Sequence, residues 1–343
     1  MVRSRRRGLK VQILMLADCT PLPSVGIADL LRKAVELSFG VPGAPGIPIE
    51  IRLIAAGESR AVRGAGGIEI TCDATLAEVT PGDLVVVSAL DPDVLAHLEM
   101  NKAVVPFLKR AHAGGSDVAS VCTGAFLLAE AGLLDGREAA THWAFQGLMA
   151  ERYPSVKIVP EAIVVDSGRI ITTGGATSFL NMTLVLVERL LGEEVARACS
   201  KMFLIDVNKP PQGAYAILAP QKQHSDEGIL RVQNLIEQKL SGAPSVEEMA
   251  RAAHASVRTF ARRFRKATGS SPREYQQRVR VEAAKRALES GEESVASVAT
   301  RVGYGDPVAF RKLFVRLVGL TPSEYRARYG RVQAPGGVAA VLA

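Results

Sequence analysis

The chain has 343 residues, of which 48% are hydrophobic and 22% are charged, a composition typical of a globular protein of about two domains. It contains no run of eighteen apolar residues, which argues against a membrane-spanning helix. Its four cysteines form no CxxC pair or Cys/His cluster, which argues against a zinc site or a disulfide framework. We expect a cytoplasmic protein with no metal, no cofactor and no membrane partner.

The charge is distributed unevenly along the chain. Residues 226–330 contain 19 lysines and arginines against 12 aspartates and glutamates, whereas residues 1–225 contain 22 against 23. The net charge of +7 therefore arises in the last third of the chain. Such an asymmetry indicates a polyanion-binding module joined to a nearly neutral one.

The first two thirds of the chain alternate apolar strands with helical stretches. The predicted strands are VQILMLA, IEIRLIAA, DLVVVS, SDVASV and RIITTGG, and the predicted helices are Ile27–Ser38, Val104–Ala113 and Ala125–Ala131. The first strand follows a basic tail that only faintly resembles a signal peptide, because the apolar stretch is short and contains Gln12. The alternation predicts a parallel sheet with helices on both faces, with ligands bound at the carboxyl ends of the strands.

One strand end stands out chemically. The segment DVASVCTGAFLLAEAGLL is an apolar strand followed by Cys122 and a small-residue turn into a helix. A strand-to-helix elbow exposes its central side chain beside free backbone N–H groups, which would lower the pKa of a thiol and could hold an oxyanion. The same pattern also fits a small buried hydrophobic residue, and both interpretations stay open at this stage.

A segment rich in proline, glutamine and glycine, VNKPPQGAYAILAPQKQHSDE, follows the α/β region. Its composition predicts an extended linker. We therefore predict an α/β domain over residues 9–206, a linker over residues 207–227 and an all-α domain over residues 228–330.

The predicted all-α domain contains an internal repeat. The segments TFARRFRKATGSSPREY and AFRKLFVRLVGLTPSEY share six residue types at one spacing. Each follows a helical stretch, SVEEMARAA or SVASVATRV, so each unit is predicted to be a helix-turn-helix. We predict N-caps at Ser245 and Ser256, a helix end at Gly269 and a long helix, Pro272–Ser290, between the units.

The second helix of each repeat carries basic side chains around two core aromatics. Arg258 and Arg262 lie four residues apart on the first helix, and Arg311 and Lys312 lie on the second. An arginine fork can pair bidentately with guanine in the major groove. A basic helix can also be the solvated face of a protein-binding domain, but the repeat and the concentrated charge favour double-stranded DNA as the partner.

These motifs resemble the DNA-binding domain of the AraC family, through SVRTFARRF, RVGYGDPVAFRKLF and GLTPSEYR. The resemblance covers residues 228–330 and implies RNA polymerase as a further partner. It also implies that the second helix of each repeat, the reading helix, contacts bases through its exposed positions. These positions are Arg258, Ala261, Arg262, Pro307, Val308, Arg311 and Lys312. Ala261 and Val308 can touch a thymine methyl but cannot hydrogen-bond a base, so the preferred DNA sequence cannot be read from them.

Residues 9–205 resemble the class I glutamine amidotransferase-like superfamily, in its PfpI and isocyanide hydratase branch. VCTGAFLLAEAGLLDGREAATHW and ITTGGATSFLNMTLVLVERLLG carry this likeness. In enzymes of the branch the cysteine at the position of Cys122 is the nucleophile, and isocyanide hydratases add the residues matched by Thr123 and Asp29. The amidotransferase triad is absent, because no His-x-Glu pair follows residue 150. Many relatives also have a histidine where this chain has Thr123.

The fusion of the two domains resembles the GlxA family of regulators. The resemblance implies a sequence-specific transcription regulator and a homodimer. It further implies control by a small metabolite, often a nitrogen-containing one such as an amino acid or a betaine. We expect a non-catalytic ligand site lined by Asp29, Cys122, Thr123 and His142.

Two other interpretations remain at this stage. The first is a cysteine hydrolase or hydratase with an attached DNA-binding module, in which Cys122 is the nucleophile and Asp29 the acid or base, with Thr123 beside them. The second is an architectural DNA binder without sequence preference, which would bind any duplex equally at a fixed salt concentration.

Overall fold

The computed structural model describes residues 8–90, 93–218, 222 and 224–330, and its internal contacts divide the chain into two units between Gln212 and Gly213. The basic tail predicted ahead of the first strand lies outside the described residues. Within the described ranges, no helix combines the length and the apolar character needed to cross a membrane.

A seven-stranded sheet forms the centre of the first unit. The strands of this unit are β1 (Leu9–Met15), β2 (Ile49–Ala55), β3 (Ala61–Arg63), β4 (Glu69–Thr71), β5 (Ala74–Thr75), β6 (Leu84–Val87), β7 (Asp117–Ser120), β8 (Glu138–Ala139), β9 (Lys157–Ile158), β10 (Val164–Asp166) and β11 (Ile170–Thr173). The main sheet has the order β10–β11–β7–β6–β1–β2–β5, and only β10 and β11 are antiparallel. The five strands predicted from the sequence are confirmed as β1, β2, β6, β7 and β11.

Helices cover both faces of this sheet, as the strand–helix alternation predicted. They are α1 (Pro21–Ser38), α2 (Val94–Met100), α3 (Val104–Ala113), α4 (Ala125–Glu130), α5 (Gln146–Arg152), α6 (Phe179–Leu191) and α7 (Glu193–Met202). Alternate residues of β6 enter different cores: Val85 packs with α3 and α4, whereas Val86 packs with α1 and α6. Each face is therefore closed by its own hydrophobic core.

The first helix begins earlier than the sequence predicted. It starts at Pro21 instead of Ile27, because a proline in the first helical turn has no intrahelical N–H bond to lose. The extra turn and a half places Pro23 and Ser24 in the interior, beside the strand ends.

The second unit is helical. A short helix, α8 (Gln212–Tyr215), joins the units within the predicted linker, and the following helices are α9 (Glu227–Gln238), α10 (Val246–Ala252), α11 (Val257–Thr268), α12 (Pro272–Ser290), α13 (Val295–Arg301), α14 (Pro307–Val318) and α15 (Pro322–Tyr329). The helix-turn-helix units are α10–α11 and α13–α14. The predicted caps Ser245, Ser256 and Gly269 and the long helix α12 are confirmed.

Each helix-turn-helix has its own aromatic core, built from the residues that the sequence repeats. Phe264 stacks edge-on against Tyr275 at 5.4 Å, and Phe314 stacks in the same way against Tyr325 at 5.6 Å. Both phenylalanine side chains are fully buried. The repeated sequence thus encodes a repeated core.

Helix α12 is tied to both repeats. On one side Gln276 Nε2 donates to the carbonyl of Pro244 at 3.0 Å, and Arg280 Nε donates to that of Leu240 at 3.1 Å. On the other side Arg316 of α14 donates to Gln277 Oε1 at 3.0 Å. The long helix therefore contacts both helix-turn-helix units.

Candidate functional sites

Cys122 occupies a sharp turn at the carboxyl end of β7, where the sequence predicted an elbow. Its backbone φ is +56°, an uncommon value for a residue with a side chain. A 3₁₀ turn, Cys122–Gly124, follows and leads into α4. The hydroxyl of Thr141 donates to the carbonyl of Cys122 at 3.0 Å, and the N–H of Cys122 donates to Thr173 Oγ1 at 3.3 Å. These bonds hold the elbow in place.

The thiol of Cys122 is buried, with 7% of the residue exposed. Burial raises the pKa of this thiol to about 11, and the hydrogen bonds from Thr123 only partly oppose that effect. Desolvation therefore outweighs the contribution of the turn, which favours the buried-residue interpretation of Cys122 over that of an activated thiol. Thr123 is also buried, and its hydroxyl donates to the carbonyl of Leu90 at 2.7 Å.

The remaining predicted ligand residues have different surroundings. His142 follows Thr141 directly, lies half-buried against Trp143 with the ring centroids 4.9 Å apart, and accepts a hydrogen bond from the N–H of Ala144 through Nδ1. Burial lowers the pKa of His142, which favours the neutral imidazole. The structure thus gathers Cys122, Thr123 and the loop that carries His142.

Asp29 does not join this group. It lies on the exposed side of α1, whereas Ile27, Ala28 and Leu31 of the same helix are buried in the core. The described structure gives it no hydrogen bond to the elbow. The described contacts therefore do not bring Asp29 to Cys122, and its assignment to the ligand site, or as an acid or base, stays a prediction.

Gln212 contacts the same region, although sequence reasoning did not single it out. Its side chain is buried, accepts from the N–H of Trp143 at 3.1 Å, and donates to the carbonyls of Thr141 at 3.1 Å and Ala162 at 2.8 Å. The residue stands in the predicted linker and its partners are 50 to 71 positions away. No local signal in the sequence could have revealed them.

An open cleft of about 570 Å³ lies elsewhere in the first unit, among β10, α6, α7 and the segment 207–211. Its wall combines apolar and charged side chains, including Val164, Leu184, Ala196, Glu161, Glu188 and Arg197. None of the four residues predicted to line the ligand site is part of that wall. The cleft and the Cys122 elbow are therefore separate features.

The predicted base-reading residues lie on α11 and α14. Arg258, Arg262, Arg311 and Lys312 are exposed, as are Pro307 and Val308, whereas Ala261 is half-buried. Arg263 points elsewhere: it forms a bidentate ion pair with Asp226, with N–O distances of 2.6 and 2.9 Å, and so holds α11 to the start of α9. Each reading helix thus presents a basic face to solvent.

Comparison with known proteins assigns both units. A helix-turn-helix domain matches residues 249–328, and the DJ-1/PfpI family matches residues 44–189. The HTH-type transcriptional regulator GlxA of Rhizobium meliloti is 30% identical over 224 residues, which cover 65% of this chain and 69% of that protein. The chain belongs to the GlxA family of transcriptional regulators.

Other relatives agree with this assignment to the GlxA family. The HTH-type transcriptional regulator GbdR of Pseudomonas aeruginosa is 28% identical over 270 residues, 78% of this chain and 72% of that protein. A solved Vibrio parahaemolyticus structure, described as a transcriptional regulator, covers 58% of this chain and 100% of its own with a TM-score of 0.51. At 21% identity it supports the fold alone. As a member of the GlxA family, the chain is an AraC-type helix-turn-helix regulator of transcription.

Proposed function

We propose that this regulator works in the cytoplasm as a homodimer, binds specific sites on double-stranded DNA, and acts on RNA polymerase. A small nitrogen-containing metabolite, bound at the strand ends of the first unit, controls the DNA-binding unit. The observation that carries the proposal is the pair of exposed basic faces on α11 and α14, two helices that both contact α12. Two such faces can enter successive major grooves if they lie about 34 Å apart.

The surroundings of Cys122 support a sensor without catalysis. A nucleophilic cysteine must be a thiolate, and burial instead favours the neutral thiol here. A metabolite at this elbow would meet the thiol of Cys122 and the neutral ring of His142. It controls the protein only if it binds two states of the chain with different affinities.

The test is a selection from a random duplex library with the full chain at a fixed salt concentration. We expect enrichment of a motif with two short boxes about one helical turn apart. The selected duplex is then titrated with the protein in the presence of single amino acids and betaines, and one of them should shift its affinity. Equal retention of all duplexes would contradict sequence-specific binding and favour the architectural alternative.

We expect Arg262→Ala to weaken binding to the selected duplex by about 1 to 3 kcal/mol and to relax the preference at one base pair. The reason is that Arg262 is exposed on α11, and an exposed arginine of a reading helix can pair with a base edge in the major groove. Fluorescence anisotropy with the selected duplex and its single-base variants measures both effects. Arg286→Ala, which removes an exposed charge from α12, is the matched control. If Arg262→Ala weakens binding to every duplex equally, this arginine contacts a phosphate and not a base.

The pH dependence of thiol alkylation separates the non-catalytic sensor from the alternative, a cysteine hydrolase or hydratase. With a pKa of about 11, Cys122 should be alkylated by iodoacetamide at a rate that keeps rising from pH 7 to pH 10. The measurement uses a chain in which the other three cysteines, all buried, are replaced by alanine. A rate that levels off below about pH 8.5, the pKa of an ordinary thiol, would favour the enzyme.

A further inference from the structure

Gln212, the last residue of the first unit, inserts its side chain among Thr141, Ala162 and Gly174, which we call the strand-end region. Gln212 is buried, and its amide makes three hydrogen bonds, to Trp143, Thr141 and Ala162. Its backbone N–H donates to the carbonyl of Glu161 at 3.0 Å. An exposed linker residue would not satisfy its amide in this way, so the contact is specific.

These bonds connect Gln212 to the elbow through one intervening residue. The carbonyl of Thr141 accepts from Gln212, and the hydroxyl of the same Thr141 donates to the carbonyl of Cys122. Gly174 leaves the space that the amide occupies, because a Cβ at Gly174 would lie 2.3 Å from Cδ of Gln212. Two hydrogen bonds through Thr141 therefore link the elbow to Gln212.

The residues that follow Gln212 in the chain belong to the second unit and are equally fixed there. Gly213 packs against the end of α14, where a Cβ would lie 2.4 Å from the carbonyl of Leu317. Ala214 is buried in the core shared by α12, α13 and α14, and Lys285 Nζ donates to the carbonyl of Ala216. The start of the second unit is thus packed onto the second reading helix.

We propose that Gln212 is the positioning residue that couples the strand-end region of the first unit to the second reading helix. Because Gln212 and Gly213 are adjacent, a displacement of the amide is passed to the residue that packs on α14. This inference rests on the proposed function and adds the route of control to it. Coupling of this kind is reciprocal, so DNA binding must in turn alter the surroundings of Gln212.

Trp143 provides the readout, because it is the only tryptophan of the chain and its backbone N–H donates to Gln212. The experiment adds end-labelled selected duplex to the full chain, follows binding by anisotropy of the label and records the emission of Trp143. No metabolite is needed, so the outcome does not depend on finding the effector. In the unchanged protein we expect saturating duplex to shift the emission.

Two variants remove the contact in different ways. Gln212→Ala deletes the side-chain amide. Gly174→Ala keeps the glutamine but adds a Cβ that pushes its amide out of the present position. Gln146→Ala is the control, since it removes an amide bonded to the carbonyl of Pro160 in the same unit. We expect the DNA-induced shift to be lost in the first two variants and kept in the control. Thermal unfolding identifies any variant that fails to fold. If only one of the two variants folds, that variant alone is enough to test the proposal.

The possible failures are distinct. DNA binding by the unchanged protein without an emission shift would overturn the inference and leave the proposed function standing. A shift that persists in folded Gln212→Ala or Gly174→Ala would also overturn it, because the coupling would then run elsewhere. If no duplex changes the anisotropy, the proposed function itself fails, and the inference fails with it.

Discussion

Replacing Phe314 by alanine should lower the free energy of unfolding of the second unit by about 3 to 5 kcal/mol. The side chain is fully buried between Phe310, at 5.6 Å, and Tyr325, also at 5.6 Å, so its removal leaves a cavity in the core that α14 shares with α12 and α15. Urea unfolding monitored by far-ultraviolet circular dichroism measures the loss. Binding to the selected duplex should weaken in parallel, because α14 is then no longer held in place.

The next residue along α14 provides the control. Val315 is 37% exposed, so Val315→Ala should change the free energy of unfolding by no more than about 0.5 kcal/mol. Phe264→Ala, in the first repeat, should match Phe314→Ala, since its ring has the same surroundings. Similar small effects for Phe314→Ala and Val315→Ala would show that the aromatic repeat does not form the core described above.

Gly124→Ala should destabilise the first unit by about 1 to 3 kcal/mol, the usual range for forcing extra volume into a packed core. A Cβ at this position would lie 2.4 Å from the carbonyl oxygen of Ser88, and backbone cannot move aside as a side-chain end can. The elbow at Cys122 should therefore shift. Thermal unfolding measures the loss, and faster alkylation of Cys122 reports the opened turn.

Gly147→Ala is the matched control for this substitution. Gly147 lies in α5 and a Cβ there would meet nothing within 4 Å. The change should therefore stabilise the unit by about 0.5 to 1 kcal/mol, because glycine inside a helix costs conformational entropy. Destabilisation of the same size by both substitutions would mean that the close approach to Ser88 has no special effect.

Much of the fold could be predicted because its signals are local or repeated. The capping residues Ser245, Ser256 and Gly269 are short-range features, and the repeat spacing identifies the same core positions twice. The buried strands are short, continuous apolar runs, a pattern typical of parallel strands that are covered on both faces. The antiparallel edge strand β10 was missed because it is only three residues long.

The candidate site could be predicted only in part. The turn at Cys122 follows from small residues after an apolar strand, but the pKa of its thiol depends on how much of the fold covers it. Which side of α1 is exposed depends on how the helix packs against the sheet. A residue match taken from a resemblance, such as that of Asp29, does not give the direction of the side chain. Gln212 acts through partners far away in the sequence.

The bonds from α12 to both repeats also constrain the DNA that this regulator can read. A protein with two reading helices on a flexible linker would tolerate operators with variable spacers, whereas here both helix-turn-helix units contact the same helix, α12. Since B-DNA turns once in about 10 base pairs, each inserted base pair rotates the second box by about 36°, away from α14. An operator lengthened by five base pairs would present its second box on the opposite face of the duplex, with every base of both boxes intact.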